Sequence, residues 1–470
     1  MQLKLNTMKK AFLISATLFY IQAYSQCWQT MSAGSSHTAT IASNGTIWAW
    51  GSNYYGEIGD GTNTERNVPT ASGNTAGWQS ITAGGMMTFA IKTDGTLWGT
   101  GTNTSGQLGD GTMIDRNTLT QIGTDTNWKS VSTHRSSGNA HTLAIKNNGT
   151  LWAWGENTEG QLGDGTNINK TIPTIIGSES NWQSISAGYK STAAIKINGT
   201  LWTWGSNNYG VLGDGSTGSS RNIPVQVGND NDWRMVSVGN SFMLAIKNDG
   251  SLWASGYNVS GQLGDGTNSN RNTMLQIGTD TNWLSISAGG SHSLALKSNG
   301  TLWAWGSKIH GQLGMGAPAE HPTITTPTQV GTDIDWKIVS AGSRHSLAQK
   351  TDGTLLSWGA NEYGQQGNGA PTAVPVNIPA PVSCSFLSIV EAETKTLFSI
   401  HPNPAKDMIH ILNPSEKQIE KITLHTILGT ELSSTSLTNE AINVQGLRSG
   451  LYIMQIMSEG KAFSHKFIKN

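Results

Sequence analysis

Histidines, carboxylates and tryptophans recur in this chain at fixed intervals, and each set suggests a chemistry. His37, His141, His292 and His345 occupy equivalent places after short turns of small residues. Imidazoles there could bind metal or act as general bases. The matching places elsewhere hold Met87, Ser191 and Phe242. A ring of ligands or bases would not accept methionine and phenylalanine at equivalent points. The histidines are therefore read as hydrogen-bonding across structural units, and neither a metal nor a cofactor is expected.

The acidic residues are paired. Asp60 precedes Arg66 by six positions, as do Asp110 and Arg116, Asp164 and Lys170, and Asp265 and Arg271, whereas Asp214 and Arg221 lie seven apart. Where Met315 and Asn368 replace the aspartate, the paired base is gone too. Acid and base lost together is what an ion pair predicts. One carboxylate per loop is also too few for calcium, which takes about 6–8 oxygens. Glycine-rich runs such as Gly261 to Gly266 lack the following helix that a phosphate-binding loop requires. Trp48 and Trp50 sit two apart on one strand and so face one side. They are read as packing between units rather than as sugar-stacking platforms.

Irregularity gives better candidates for a binding site. One stretch carries an insertion with His134, Arg135 and Asn139, and another lengthens a loop to include Glu320 and His321. Loops on a rigid scaffold are where binding usually sits.

The scaffold that positions these residues is a repeat. Trp28, Trp78, Trp128, Trp182, Trp233, Trp283 and Trp336 open seven units spaced 50, 50, 54, 51, 50 and 53 residues apart, and all 18 tryptophans fall within them. Such a period, rich in glycine and short alternating runs, marks a propeller or solenoid. Each unit reads as two alternating runs, a third of the LWAWG type, a glycine-rich loop and an outer strand whose proline suits a sheet edge. Asn-Gly or Asp-Gly recurs between the second and third runs, as in Asn44-Gly45 and Asp94-Gly95. That pair predicts a type I′ hairpin turn. The expected fold is all-β, a seven-bladed propeller over residues 26–384.

These residues resemble the regulator of chromosome condensation repeat family. The resemblance rests on the Ala-Gly turn before histidine (Ala33-Gly34 to His37), the LWAWG strand and the GQLGDG loop, over about three quarters of the chain. It implies the seven-bladed fold but no single activity, because folds host many functions.

The two ends address the protein. Met8-Lys9-Lys10 and the apolar run after it read as a signal peptide over residues 1–25, cleaved before Gln26. The apolar run is too short to span a bilayer. A linker over 385–396 leads to a segment, 397–470, without tryptophan. This segment resembles the type A C-terminal sorting domain of the type IX secretion system of Bacteroidota. Pro402-Asn403-Pro404-Ala405, Gly429, Gly450, Tyr452 and Lys466 carry the match. The resemblance implies a small antiparallel β-sandwich read by the secretion machinery at the outer membrane. Export favours disulfides. A closed ring brings its first and last strands together, so Cys27 and Cys384, the chain's two cysteines, are expected to bridge.

Composition narrows the function. A formal net charge of −1 with 13% charged residues leaves no basic stripe for nucleic acid, and no membrane-spanning segment is expected in the mature chain. A monomeric, secreted or surface-attached binding module for protein or glycan is the leading expectation. An exported carbohydrate-active enzyme is the alternative, although no unit displays a catalytic set. Guanine-nucleotide exchange would be inherited from the family resemblance alone.

Overall fold

The computed structural model describes residues 27–73, 75–134, 140–316, 322–369, 374–383, 398–413, 417–426, 431–435, 441–458 and 461–470. The expected signal peptide, linker, Cys384, Arg135, Asn139, Glu320, His321 and Gly429 lie outside them. The chain divides into two compact units between Ser383 and Cys384.

Seven four-stranded sheets, each built from consecutive strands in sequence order, form the first unit. Blade 1 is Trp28–Ala33, His37–Ala42, Ile47–Gly51 and Arg66–Ala71. All neighbouring strands within it are antiparallel. The hydrophobic core lies between blades. Phe89, Ile91 and Leu97 of blade 2 pack with Trp128, Val131 and Trp154 of blade 3, and the same layering recurs around the ring.

The hairpin turns differ from expectation. In blade 1 the Gly45 amide bonds the Ala42 carbonyl, and Gly45 has φ of +76°. Among the described residues Tyr209 is the sole non-glycine with positive φ, so Asn44 is not in the left-handed region that a type I′ turn demands. The turn is a three-residue loop, Ser43-Asn44-Gly45, with glycine in the bulge position. The Asn44 side-chain Oδ1 accepts from both the amide (3.1 Å) and hydroxyl (2.6 Å) of Thr46. This local bond fixes asparagine in an ordinary turn conformation and leaves the positive φ to glycine alone.

The ring closes by the bonds it uses elsewhere. The Ala83 amide of blade 2 donates to Ser32 Oγ of blade 1 at 2.9 Å, and the Ala33 amide of blade 1 donates to Ser340 Oγ of blade 7 at 3.0 Å. Each glycine-rich loop docks on the following blade. Trp154 Nε1 donates to the Gln107 carbonyl of the preceding blade at 2.9 Å, and Trp50 Nε1 to that of Gln365 in blade 7 at 3.0 Å. Trp50 and its counterparts thus pack between blades as expected. At the Trp48 position the counterpart Trp202 packs against the cluster shared by blades 3 and 4 and also lies beneath a lysine.

The second unit pairs a three-stranded sheet with a four-stranded one. Ile409, Ile422, Ile442, Met454 and Phe467 fill the space between them. Among the described residues no helix is long and apolar enough to cross a membrane.

Candidate functional site

The histidines serve the seams. Thr192 donates its one hydroxyl hydrogen to the Gln161 carbonyl (2.8 Å), so the 2.9 Å contact with His141 Nε2 requires the imidazole to donate. His37 with Thr88, His292 with Ser346 and His345 with Thr38 repeat the arrangement, the last across the closing seam. Burial pushes His37 down to about 4, opposed by a backbone bond at Met87. Burial, and then the neighbouring His134, push His141 down to about 3. Both rings are neutral at ordinary pH, as donors of one hydrogen bond each to a hydroxyl.

The paired acids and bases come together inside the loops. Arg66 lies 2.6 Å from Asp60, Arg116 2.6 Å from Asp110, Lys170 3.3 Å from Asp164, Arg221 3.1 Å from Asp214 and Arg271 2.7 Å from Asp265. Burial raises the Asp60 carboxyl, but bonds from the Thr62 hydroxyl, Arg66 and the Thr62 amide outweigh it and hold the group below its ordinary value. Sequence reasoning missed the hub of the loop. Asn53 Nδ2 reaches Asp60 and the Thr62 and Thr64 carbonyls, while its Oδ1 accepts from the Ile58 amide at 3.0 Å. The signal was present: asparagine recurs two places after the third strand's glycine as Asn103, Asn157, Asn207, Asn258 and Asn361. It is Lys308 in the blade that has Met315 for aspartate.

A second device also went unread. Lys196 lies 3.5 Å from the Trp202 ring centroid and 4.7 Å from that of Trp182, and Glu179 caps its ammonium at 2.7 Å. Lys146 with Asp125 and Lys297 with Asp280 are built alike. These groups sit on the face of the hairpin turns and blade connections, where charge and aromatic surface are already satisfied.

The opposite face, formed by the turns after each first strand and the glycine-rich loops after each third, is different. Tyr54, Tyr55, Tyr189, Tyr209, Tyr257 and Tyr363, every tyrosine of the propeller, lie on it. Tyr54 is 59% and Tyr209 50% exposed. Tyr54 meets Tyr363 edge to face at 6.1 Å, and Tyr209 meets Tyr257 at 4.7 Å. Among the candidate binding-loop residues His134 is described; it is buried on this side, 5.9 Å from the Tyr189 ring. Lys190 beside it pairs with the buried Glu156 at 3.3 Å. A cavity of about 270 Å³ opens on this face where blades 7, 1 and 2 meet. Below it Glu57, buried where five of the other six blades carry glutamine, accepts from Ser52 Oγ (2.6 Å) and the Tyr55 amide (2.9 Å). Burial pushes its carboxyl up against those bonds.

The sequence model of the RCC1-like domain matches residues 124–401, more than half of the chain. The chain belongs to the RCC1-like domain family. RCC1 repeat models match residues 28–57 and 44–91 of the RCC1-like propeller. The model of the secretion system C-terminal sorting domain matches residues 399–470. The ultraviolet-B receptor UVR8 of Arabidopsis thaliana is 29% identical over 241 residues, 50% of this chain and 43% of its own length. The chain thus spans less than half of that relative. Yeast RCC1 (Prp20), solved bound to Kap60, superposes with a TM-score of 0.64 at 19% identity, covering 81% of this chain and 87% of that one. Human WBSCR16 gives 0.61 at 19% identity, covering 69% and 86%. These likenesses establish the propeller fold.

In the sorting domain the opening motif and the last strand are brought together. Asn403 Nδ2 donates to the Lys466 carbonyl at 3.0 Å, its Oδ1 accepts from the Ile468 amide at 2.9 Å, and the Ala405 amide donates to the Ile468 carbonyl at 2.7 Å. Gly450 opens a nine-residue strand in which Tyr452 stacks on Phe467 at 5.6 Å.

Proposed function

We propose that this protein is an exported binding module whose propeller engages a protein or glycan through its tyrosine-bearing face. A type IX sorting domain implies secretion or display at the outer surface. The observation that carries the binding reading is the confinement of all six propeller tyrosines to one face. Tyrosine supplies large, stiff contact area with a polar tip, which suits recognition. The reading is non-enzymatic. Cleavage of a signal before Gln26, delivery by the type IX machinery and a monomeric mature state belong to the same proposal. So does a bridge between Cys27 and Cys384; supporting it, Cys27 is disulfide-bonded and the chain has two cysteines.

Purified full-length protein, incubated with polysaccharide and protein fractions of the cell envelope, tests the reading. Saturable binding without product is expected. Turnover of any bound polysaccharide would replace a binding module with an enzyme.

A further inference from the structure

The cavity where blades 7, 1 and 2 meet differs from the rest of the ring in three respects. Its wall holds Tyr54 and Tyr363 at 85° to one another, so one ring offers its face where the other offers its edge. Arg344 and Glu362 stand exposed beside them, and among the described residues neither forms an ion pair. Ser36 and Ser52 are among the hydroxyl-bearing residues of the lining, and Met86 is the one aliphatic side chain in it. The Glu65 carboxylate, hydrogen-bonded to the Tyr54 hydroxyl and then through its charge, pushes that phenol up.

This set matches one ligand chemistry. A protein partner needs a broad patch with an apolar centre, and this lining is mostly hydroxyl, with one cation and one anion. A phosphate or sulfate ligand would need an excess of positive charge, which Glu362 cancels. A neutral sugar needs the features present here. It needs an aromatic face for its C–H surface, and both donors (Arg344, Ser36) and acceptors (Glu362, Ser52) for its hydroxyls. At about 270 Å³ the space lies just below the range of roughly 300–1,000 Å³ for small-ligand pockets, suited to the end of a chain rather than its length.

We infer that the cavity formed by Tyr54, Tyr363, Arg344 and Glu362 binds the terminal sugar of a neutral glycan. The inference rests on the binding-module reading and deepens it by naming ligand class and place. The test uses full-length protein against neutral cello-, xylo-, malto- and manno-oligosaccharides, with a displayed peptide library as the competing probe. Calorimetry should find one of these oligosaccharides bound, about tenfold more weakly by Tyr54→Ala, Tyr363→Ala and Arg344→Ala. Ile197→Ala, exposed in a hairpin turn on the opposite face, should bind as the parent does. The altered side chains lie at the surface, and unchanged thermal melting verifies the fold. Oligosaccharide binding that ignores Tyr54 and Tyr363 would overturn the place while leaving the binding module intact. No oligosaccharide bound, with peptides captured through the same tyrosines, would overturn the ligand class alone. Hydrolysis of the oligosaccharide would overturn the binding module itself.

Discussion

His141 shows how much one buried ring contributes to a seam and how that contribution depends on pH. Its folded value of about 3 lies below the ordinary 6.5, as does that of His37 at about 4. The unfolded chain therefore binds protons first as pH falls below 6.5. Stability is complete above 6.5 and declines towards the folded values, by about 3 kcal/mol for His37 between 6.5 and 4. The aspartates of the loops, held below their ordinary value, add to the loss at lower pH, while Glu57, pushed up, opposes it. Melting temperature should fall steadily between pH 6.5 and 4. His141→Phe should flatten that slope, because blade 5 already carries Phe242 at this position and Ser293 beyond it still donates to Gln262. An unchanged slope would show that the histidine is not the titrating group. The glycine three places before His37, His292 and His345 is as constrained as the ring. A Cβ on Gly34 would lie 2.4 Å from His37 Cε1 and 2.6 Å from the Gly84 carbonyl of the next blade. Gly34→Ala should cost about 3 kcal/mol in a denaturant titration. Gly73→Ala, with φ of +76° but open space around it, should cost about 1–2 kcal/mol.

Each element repeats the same few contacts, and here the limits of reading the sequence become physical. The strands, their order and the aspartate pairs were legible because each is local and repeated seven or five times. The turn type was not, because Asn44 takes an ordinary conformation once Thr46 bonds its side chain. Nor was the lysine sandwich. Trp182, Lys196, Trp202 and Glu179 come from three strands and a connection; the same spacing recurs at Asp280, Trp283, Lys297 and Trp303, but no local pattern says that these side chains converge. The cavity was harder still, since Tyr54 and Tyr363 are 309 positions apart (363 − 54). Their proximity exists only once the ring is closed. The sandwich makes its own prediction. Lys196→Met keeps the packed stem but removes the cation between two rings and the bond to Glu179. Calorimetric unfolding should show a loss of about 1–2 kcal/mol. Blade 1, with Ala42 opposite Trp28, stands without this device, so a loss confined to that range leaves the ring assembled.

For the whole molecule, removal of residues 397–470 should leave a propeller that melts as a unit and accumulates in the periplasm. Fractionation of cells carrying the truncation measures this directly, and normal surface delivery would remove the role assigned to the sorting domain. Non-reducing mass spectrometry of the secreted protein should find Cys27 and Cys384 in one linked peptide; two alkylatable thiols would refute the bridge. The seams carry a longer-term consequence. Every blade is one unbroken stretch of chain that lends no strand to its neighbour, and the serine-to-amide bond that joins blade 7 to blade 1 is the one that joins blade 1 to blade 2. At the level of the gene, unequal recombination between two copies of the unit would therefore add or remove an entire blade, leaving no half-sheet to be repaired. The ring's inheritance is counted in whole units, and a single blade, with the loops it carries, is the smallest step by which such a propeller changes.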